Sequence, residues 1–327
     1  ACLKSSGVHE IDLCVYFASD YEFVVPFLAH HLSLGAKHII IYNNDDKVAW
    51  YRHPAVMCMV AEEMVLVHPW FGEKELMHGL NHCFRKAMPG LRGLSHDKDK
   101  ERLKTVWGAN FDIDELLVLH QHQCMAHLLK TVDAPSLALN WAFFVPEFPL
   151  SDFARSGNLA FMPKRDYDLH GVVLPHDKLQ RRMYENPHIK TVNRLACVDS
   201  WHNEHCPGYT ADCPYGNRPK DPDNHTIACQ PWTPWIDNHY PIAQLNHYWT
   251  LSLSDFLRKI HRGKGGSYSK TNGESYRNTA EFFSHAKPGK QPFVDDVALI
   301  KRYGDFYADL KVRCPSCFDL SYYHLSD

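Results

Sequence analysis

The chain of 327 residues predicts an α/β protein, with a mostly parallel central sheet flanked by helices in a single large domain. An apolar run from Ile11 to Ala18 is followed by a helical pattern from Asp20 to Leu32, and then by a second apolar run, His38 to Tyr42. A strand, a helix and a strand within roughly 35 residues form a βαβ unit, whose right-handed crossover makes the strands parallel. Further apolar runs of strand length follow, alternating with helical patterns.

The other elements follow from the same periodicity. The first helix ends at Leu34-Gly35, because glycine readily takes the left-handed conformation that closes a helix. The further predicted strands are Val56–Val67, Val106–His120, Leu137–Val145, His188–Val198 and Gln244–Tyr248, and the further predicted helices are Glu73–Ala87, Leu253–His261 and Val294–Tyr303. In such sheets ligands gather at the carboxyl ends of the strands, which makes polar residues there candidates for a site.

The stretch Val106–His120 is the most informative part of the chain, since an acidic cluster interrupts its apolar residues. It reads as one strand buried on both faces, on which Asp112 and Asp114 share a side. Two carboxylates on one side repel each other unless a hard divalent cation lies between them. The alternative is an acidic strand end, including Glu115, that is paired with lysine or arginine.

Composition excludes some classes of function. Hydrophobic residues make up 45% of the chain and charged residues 22%, as in ordinary globular proteins. A net charge of −3 gives no basic field, so we expect no nucleic-acid partner. No apolar stretch approaches the ~20 residues that cross a bilayer, so no transmembrane segment is predicted. The compartment stays open between the Golgi lumen, with an anchor removed, and the cytoplasm.

The 11 cysteines do not settle the redox compartment. Those in apolar runs, Cys14, Cys58 and Cys197, read as core thiols. Those in the loop after residue 199, Cys206, Cys213 and Cys229, suit a disulfide. Two zinc sites compete with these interpretations: one on His202, His205, Cys206 and Cys213, and one on the Cys314-Pro315-Ser316-Cys317 motif, which otherwise forms a disulfide or two free thiols.

Several separated motifs stand in a distinctive order. They are Asp20-Tyr21-Glu22, His30-His31, Leu34-Gly35, Asn43-Asn44-Asp45-Asp46, Asp112-Ile113-Asp114-Glu115, Asn140-Trp141, Lys190 with Arg194, and Asn246-His247-Tyr248. In this order they resemble glycosyltransferase family 92 and its family-2-like relatives, which have a GT-A fold. The resemblance implies a GT-A domain over residues 8–270, with a loop insertion at 199–240 that has no counterpart, and a C-terminal extension over 271–327. The turn after Asn140-Trp141 also departs from the family pattern.

The resemblance implies a transferase that moves a sugar from a UDP- or GDP-sugar donor to a glycan or another hydroxyl acceptor, with inversion. Mn²⁺ or Mg²⁺ would bind Asp112, Asp114 and His247, and would neutralise the diphosphate leaving group as a Lewis acid. By itself His247 also fits a satisfied core histidine. The donor would be bound by Lys190, Arg194 and Arg262 at the phosphates, by Asp20, Glu22, Asn44 and Asp46 at the nucleoside, and by Asp112.

An inverting transferase also needs a general base near the acceptor hydroxyl. Glu147 and Asp199 are on segments that could reach it. Two other functions compete with this interpretation. One is a metal-dependent phosphoester hydrolase with two metals near Asp112 and Asp114. The other is a non-catalytic GT-A module that binds a nucleotide or a glycan without turnover.

Overall fold

The computed structural model describes residues 9–17, 21–44, 50–70, 76–146, 167–168, 172–173, 181–230, 242–248 and 308–315. The predicted α/β class is confirmed. The strands are β1 (Glu10–Phe17), β2 (His38–Asn43), β3 (Val65–Pro69), β4 (Val106–Asn110), β5 (Glu115–Leu119), β6 (Ser136–Pro146), β7 (Tyr167–Asp168), β8 (Val172–Val173), β9 (Arg181–Arg194), β10 (Val198–Trp201), β11 (Pro207–Tyr209) and β12 (Ala243–His247). The helices are α1 (Tyr21–Ser33), α2 (Pro54–Ala61), α3 (Leu76–His82), α4 (Met88–Gly90), α5 (Lys100–Leu103) and α6 (Met125–Leu129).

Eight strands form one mixed sheet in the order β3-β2-β1-β4-β9-β6-β12-β5. The run β3-β2-β1-β4 is parallel, as is the pair β6 and β12. Antiparallel pairing occurs where β9 meets β4 and β6, and where β5 meets β12. Six of the eight strands therefore run in the same direction, and their carboxyl ends meet at one edge of the sheet. That edge is where an α/β sheet places its ligands.

Helices cover both faces of the sheet, because successive side chains of a strand point to opposite sides. Leu13 on β1 packs in one core with Val24 of α1 and Val56 of α2. Its neighbour Cys14 packs in the other core with Phe84, which follows α3. Both faces of β1 are consequently buried, as its continuous apolar sequence predicts.

The predicted strand Val56–Val67 is wrong in its first half. Residues Pro54–Ala61 form α2, and the strand begins only at Val65. The imidazole of His53 caps α2 by accepting a hydrogen bond from the Ala55 backbone N–H at 3.2 Å. A short helix made almost entirely of apolar residues has the same composition as a buried strand, so periodicity does not separate the two.

The predicted single strand Val106–His120 is also wrong. It is two strands joined by a turn: β4 lies in the middle of the sheet, and β5 lies at its end beside β12. Both strands are largely buried and the turn between them contains no glycine or proline, so the sequence looks continuous. Asp112 and Asp114 therefore lie in a turn and not on one side of an extended strand.

Three disulfides join described cysteines: Cys58–Cys314, Cys197–Cys213 and Cys206–Cys229. The expected disulfide in the loop after residue 199 is confirmed. The prediction that Cys58 and Cys197 are core thiols is wrong, whereas Cys14 is a free buried thiol. Zinc on Cys206 and Cys213 is excluded in this state, because a disulfide sulfur is not a thiolate ligand.

No helix among the described residues is long and apolar enough to cross a membrane. The predicted strands Leu137–Val145 and Gln244–Tyr248 are confirmed as β6 and β12. The predicted strand His188–Val198 is largely the end of β9, which stops at Arg194 before a short 3₁₀ turn. The predicted helices Leu253–His261 and Val294–Tyr303 lie outside the described residues.

Candidate functional site

Residues 112–115 form the acidic turn at the carboxyl end of β4. The backbone N–H of Asp112 donates to the Glu115 carboxylate at 2.9 Å, and the N–H of Glu115 donates back to the Asp112 carbonyl at 2.9 Å. The backbone N–H of Tyr248, the residue directly after β12, donates to the Asp114 carbonyl, also at 2.9 Å. These three hydrogen bonds define the turn and bring three carboxyl groups together.

Lys190 of β9 supplies the positive charge of this cluster. Its side chain is fully buried, and its ammonium donates to Asp112 Oδ2 at 3.2 Å and lies 3.9 Å from Glu115 Oε1. Register explains this position: Val192 pairs with Ala109, so Lys190 lies level with the residues that follow β4. The alternative stated above, an acidic strand end paired with a lysine, therefore describes part of the site.

The buried charges shift one another's pKa values. Burial alone would lower the pKa of Lys190, but Asp112 and Glu115 outweigh it and raise this pKa above its usual value. Burial raises the pKa of Glu115 well above its usual value, against the opposing effect of Lys190. Desolvation would raise the pKa of Asp112, but opposing effects, chiefly the positive charge of Lys190, outweigh it, so this pKa is below its usual value. Asp112, whose side chain is 44% exposed, is thus the ionised carboxylate at the mouth of the site.

Asp114 faces His247 on the other side of the turn. Asp114 Oδ1 and His247 Nε2 are 3.6 Å apart, and both side chains are nearly buried. The separation is too long for a hydrogen bond. The indole of Trp141 contacts the His247 ring edge to face, with centroids 4.3 Å apart, and so restricts its orientation. β12 lies between β6 and β5, which places His247 beside Glu115 in the register.

Further imidazoles surround Trp141. His188 stacks on the indole at 4.8 Å, and His205 meets it edge to face at 5.3 Å. The Nδ1 of His205 donates to the Ile189 carbonyl at 2.8 Å, and Nε2 lies 3.8 Å from Glu204. Burial, with a contribution from Lys190, lowers the pKa of His205 to about 4, so this ring is neutral at physiological pH.

Arg194 lies at the opposite edge of the sheet from the acidic turn. It pairs with Trp107 near the start of β4, and its guanidinium donates to the backbone carbonyls of Lys104, Val132 and Ala134 at 2.8–3.0 Å. The rings of Trp107 and Tyr215 lie over it at 4.2 and 4.0 Å. The structure does not bring Arg194 together with Asp112. We infer that it joins the loops at that edge and does not bind phosphate.

The remaining predicted site residues lie on or beside other strands and helices, or outside the described part of the chain. Asn44 is half-buried directly after β2, at the same edge of the sheet as the acidic turn, and Glu22 is in the first turn of α1. Asp199 is exposed on β10, where its carboxylate accepts a hydrogen bond from Ser200 at 3.3 Å. Among the described residues, no hydrogen bond or ion pair joins Asp199 to the acidic turn. Asp20, Asp46, Glu147 and Arg262 lie outside the described residues.

Within the described part of the chain, no group of three or more His, Cys, Asp or Glu side chains is arranged to hold a metal ion. The pair of Asp114 and His247 is thus a partial donor set. Sequence reasoning assigned no role at the site to His188 or Glu204, and a resemblance alone drew attention to Trp141. The signal available in the sequence was the clustering of His202, Glu204 and His205, which the zinc hypothesis interpreted differently.

Comparison with known proteins gives no assignment. No protein-family model matches the chain. A search of curated proteins finds no significant match. The functional interpretation therefore depends on the residues, their geometry and the motif resemblance described above.

Proposed function

We propose that the protein is a metal-dependent glycosyltransferase with a GT-A fold, which transfers a sugar from a UDP- or GDP-sugar to a glycan or another hydroxyl acceptor. One observation carries the proposal. The acidic turn follows the central strand β4 at the edge where six strands have their carboxyl ends, and there Asp114 faces His247 at 3.6 Å. The order of the sequence motifs supports the same assignment.

The carboxylate of Asp114 and the imidazole of His247 are close enough to be two ligands of one divalent cation. Two ligands of one ion, each bonded at about 2.1 Å, are separated by distances in the range observed between Asp114 and His247. Mg²⁺ and its analogues are usually bound through one or two carboxylates and the substrate phosphates, without a complete protein cage. Asp114 and His247 would therefore hold the ion, with Asp112 at the mouth. A mixed oxygen and nitrogen pair favours Mn²⁺ over Mg²⁺.

The metal, when bound, would supply Lewis-acid stabilisation to the diphosphate of the leaving nucleotide. The protein's residues perform the remaining tasks. Lys190 neutralises part of the charge of the acidic turn and holds Asp112 at 3.2 Å. The Lys190 ammonium faces Asp112 and Glu115, whereas Asp114 faces His247, and a cation between Asp114 and His247 would balance the charge of the Asp114 carboxylate. Trp141 restricts the orientation of His247.

The test is calorimetric binding of UDP, GDP and their sugar conjugates, with and without Mn²⁺, to the wild type and to Asp114→Asn. We expect one nucleotide to bind in a Mn²⁺-dependent manner and Asp114→Asn to weaken this binding at least tenfold, because a neutral amide is a poorer ligand. Asp133→Asn is the matched control, since Asp133 is exposed. It should bind as the wild type does.

The binding measurement tests whether the donor site exists, and a second measurement tests whether the protein catalyses transfer. Transfer is then measured as nucleotide release that requires an acceptor. Absence of binding to any nucleotide at any metal concentration would overturn the proposal. Metal-dependent hydrolysis of a phosphodiester without a sugar donor would support the hydrolase instead. Nucleotide binding without turnover for any acceptor would favour the non-catalytic module.

A further inference from the structure

The strand that follows the acidic turn, β5, is the last strand of the sheet in the described part of the chain. Backbone groups of an antiparallel pair point alternately toward the partner and away from it. Tyr248 donates to the Asp114 carbonyl, and His120 donates to the Ile242 carbonyl, so even-numbered residues of this strand bond to β12. The N–H and C=O of Leu117 consequently point outward, away from β12.

Two imidazoles of α1 satisfy both outward groups of Leu117. His30 Nε2 donates to the Leu117 carbonyl at 2.7 Å, and His31 Nε2 accepts from the Leu117 N–H at 3.4 Å. One donor and one acceptor directed at the same residue is what a neighbouring strand would offer. An uncovered strand edge invites pairing with other chains, and a helix that covers it removes this hazard.

The hydrogen bonds also specify the protonation state of His31. Its Nδ1 lies 3.0 Å from the Phe27 carbonyl, so Nδ1 carries the hydrogen and donates it. Nε2 must then be unprotonated in order to accept from Leu117. A protonated His31 would carry hydrogen on both nitrogens and would oppose the Leu117 N–H with another donor.

The His31 ring is fully buried, and in the described part of the chain it contacts Phe27, His30, Phe111 and the Leu117 backbone. Of these residues only His30 titrates, and no carboxylate of the described residues forms a hydrogen bond or an ion pair with His31. Burial, then the neighbouring His30, hold the pKa of His31 well below its usual 6.5. The unfolded chain therefore binds the proton more readily. The stability that depends on neutral His31 is present above pH 6.5 and is lost as the pH falls below it.

We propose that His30 and His31 act as a surrogate strand: their side chains bond to β5 as a neighbouring strand would, and so they position the acidic turn. Protonation of His31 breaks this pairing and releases β5 from α1. β5 begins at Glu115, which is part of the turn and lies opposite His247 in the register with β12. Release of β5 would displace the Asp114 and His247 pair. This consequence for the site rests on the proposed function, whereas the pairing of α1 with β5 does not.

The test is hydrogen exchange of the Leu117 amide, corrected for its intrinsic rate, between about pH 7.5 and pH 5, where a histidine can change its charge. In the wild type we expect protection to fall as the pH is lowered. His31→Gln supplies an acceptor that does not titrate in this range, so its protection should stay constant. His31→Phe removes the acceptor and should lower protection about tenfold at neutral pH, as expected for one buried hydrogen bond. His127→Gln, at an exposed position, is the control.

Mn²⁺-dependent nucleotide binding is measured over the same pH range. If binding exists, it should fall more steeply with decreasing pH in the wild type than in His31→Gln. Protonation of the His247 ligand lowers metal affinity in both proteins, whereas release of β5 by His31 occurs only in the wild type. If no nucleotide binds, the proposed function fails. The exchange data then still show whether His30 and His31 act as a surrogate strand for β5. Protection of Leu117 that does not depend on pH in the wild type would overturn the proposal. Should His31→Phe not fold, the contrast between the wild type and His31→Gln provides the test.

Discussion

At the scale of single residues, Lys190 is a fully buried lysine among carboxylates. That Lys190 binds a phosphate of the donor stays a prediction. Its contacts differ from those of an exposed phosphate ligand, because Asp112 and Glu115 already face its ammonium. Removing one partner of a buried ion pair leaves the other charge uncompensated.

We predict that Lys190→Met lowers the free energy of unfolding by about 3–5 kcal/mol, because Glu115 and Asp112 lose their counter-ion. Urea unfolding measures the change. The double variant Lys190→Met with Glu115→Gln should recover part of the loss, since glutamine removes a buried carboxyl group that has lost its ammonium partner. Lys104→Met, which breaks a surface pair with Glu101, should cost less than about 1 kcal/mol. Equal effects of Lys190→Met and Lys104→Met would contradict the prediction.

Spacing along a strand explains the different positions of Lys190 and Arg194. Four residues of strand span about 13 Å, so two side chains on one face can belong to opposite edges of a sheet. The sequence pattern predicts a shared face and contains no information on which edge carries the ligand. Pairing of β9 with β4 decided that point, because it placed Arg194 level with Trp107.

At the scale of elements, β4 approaches the helical segment after α3 at Gly108. A Cβ atom at this position would lie 2.7 Å from Met88 Sδ, 2.8 Å from Phe84 Cε1 and 2.9 Å from Leu195 Cδ2. These distances are shorter than van der Waals contact, so the absence of a side chain allows the helix and the strand to pack closely. The acidic turn follows two residues after the end of this strand.

We predict that Gly108→Ala destabilises the protein by about 1–3 kcal/mol, because three packed side chains would have to move. Thermal and urea unfolding measure the effect. Gly90→Ala is the matched control: a Cβ there meets nothing within 4 Å, and alanine favours a helix over glycine. It should be neutral or slightly stabilising. A neutral result for Gly108→Ala would show that the β4 packing is looser than described.

At the scale of the whole molecule, the disulfide Cys58–Cys314 joins residues that are 256 positions apart. It connects α2 to the helical residues 308–313, whose Leu310 is fully buried. Residues 308–315 are thereby attached to the core that β1, α1 and α2 share. A cross-link over so long a loop restricts the unfolded chain strongly.

We predict that the double variant Cys58→Ala with Cys314→Ala lowers the free energy of unfolding by about 2–5 kcal/mol. Hydrogen exchange over residues 308–313 should also increase. Cys197→Ala with Cys213→Ala is the comparison, because these residues are 16 apart and a shorter loop constrains the unfolded chain less. Non-reducing peptide mapping first establishes the linkages. Recovery of Cys58 and Cys314 as free thiols would contradict the structure.

Local pattern predicted much of the fold. The alternation of apolar runs and helical segments identified β1, α1 and β2, and Gly35 closes α1 with a left-handed φ of 96°. It failed at α2, since a short buried helix and a buried strand have similar composition. It also failed between β4 and β5, where a turn without glycine or proline leaves no local signal.

The sequence by itself determined the α/β class, the order of its main elements and the position of an acidic motif beside a buried strand. These features depend on residues close in the chain, whose periodicity reports burial directly. Tertiary structure alone decided that Lys190 neutralises Asp112 and Glu115, that Arg194 lies at the other edge, which cysteines pair, and that His30 and His31 cover the edge of β5. Each of these outcomes depends on strand order and register, which bring together residues that are distant in the chain and leave no local pattern.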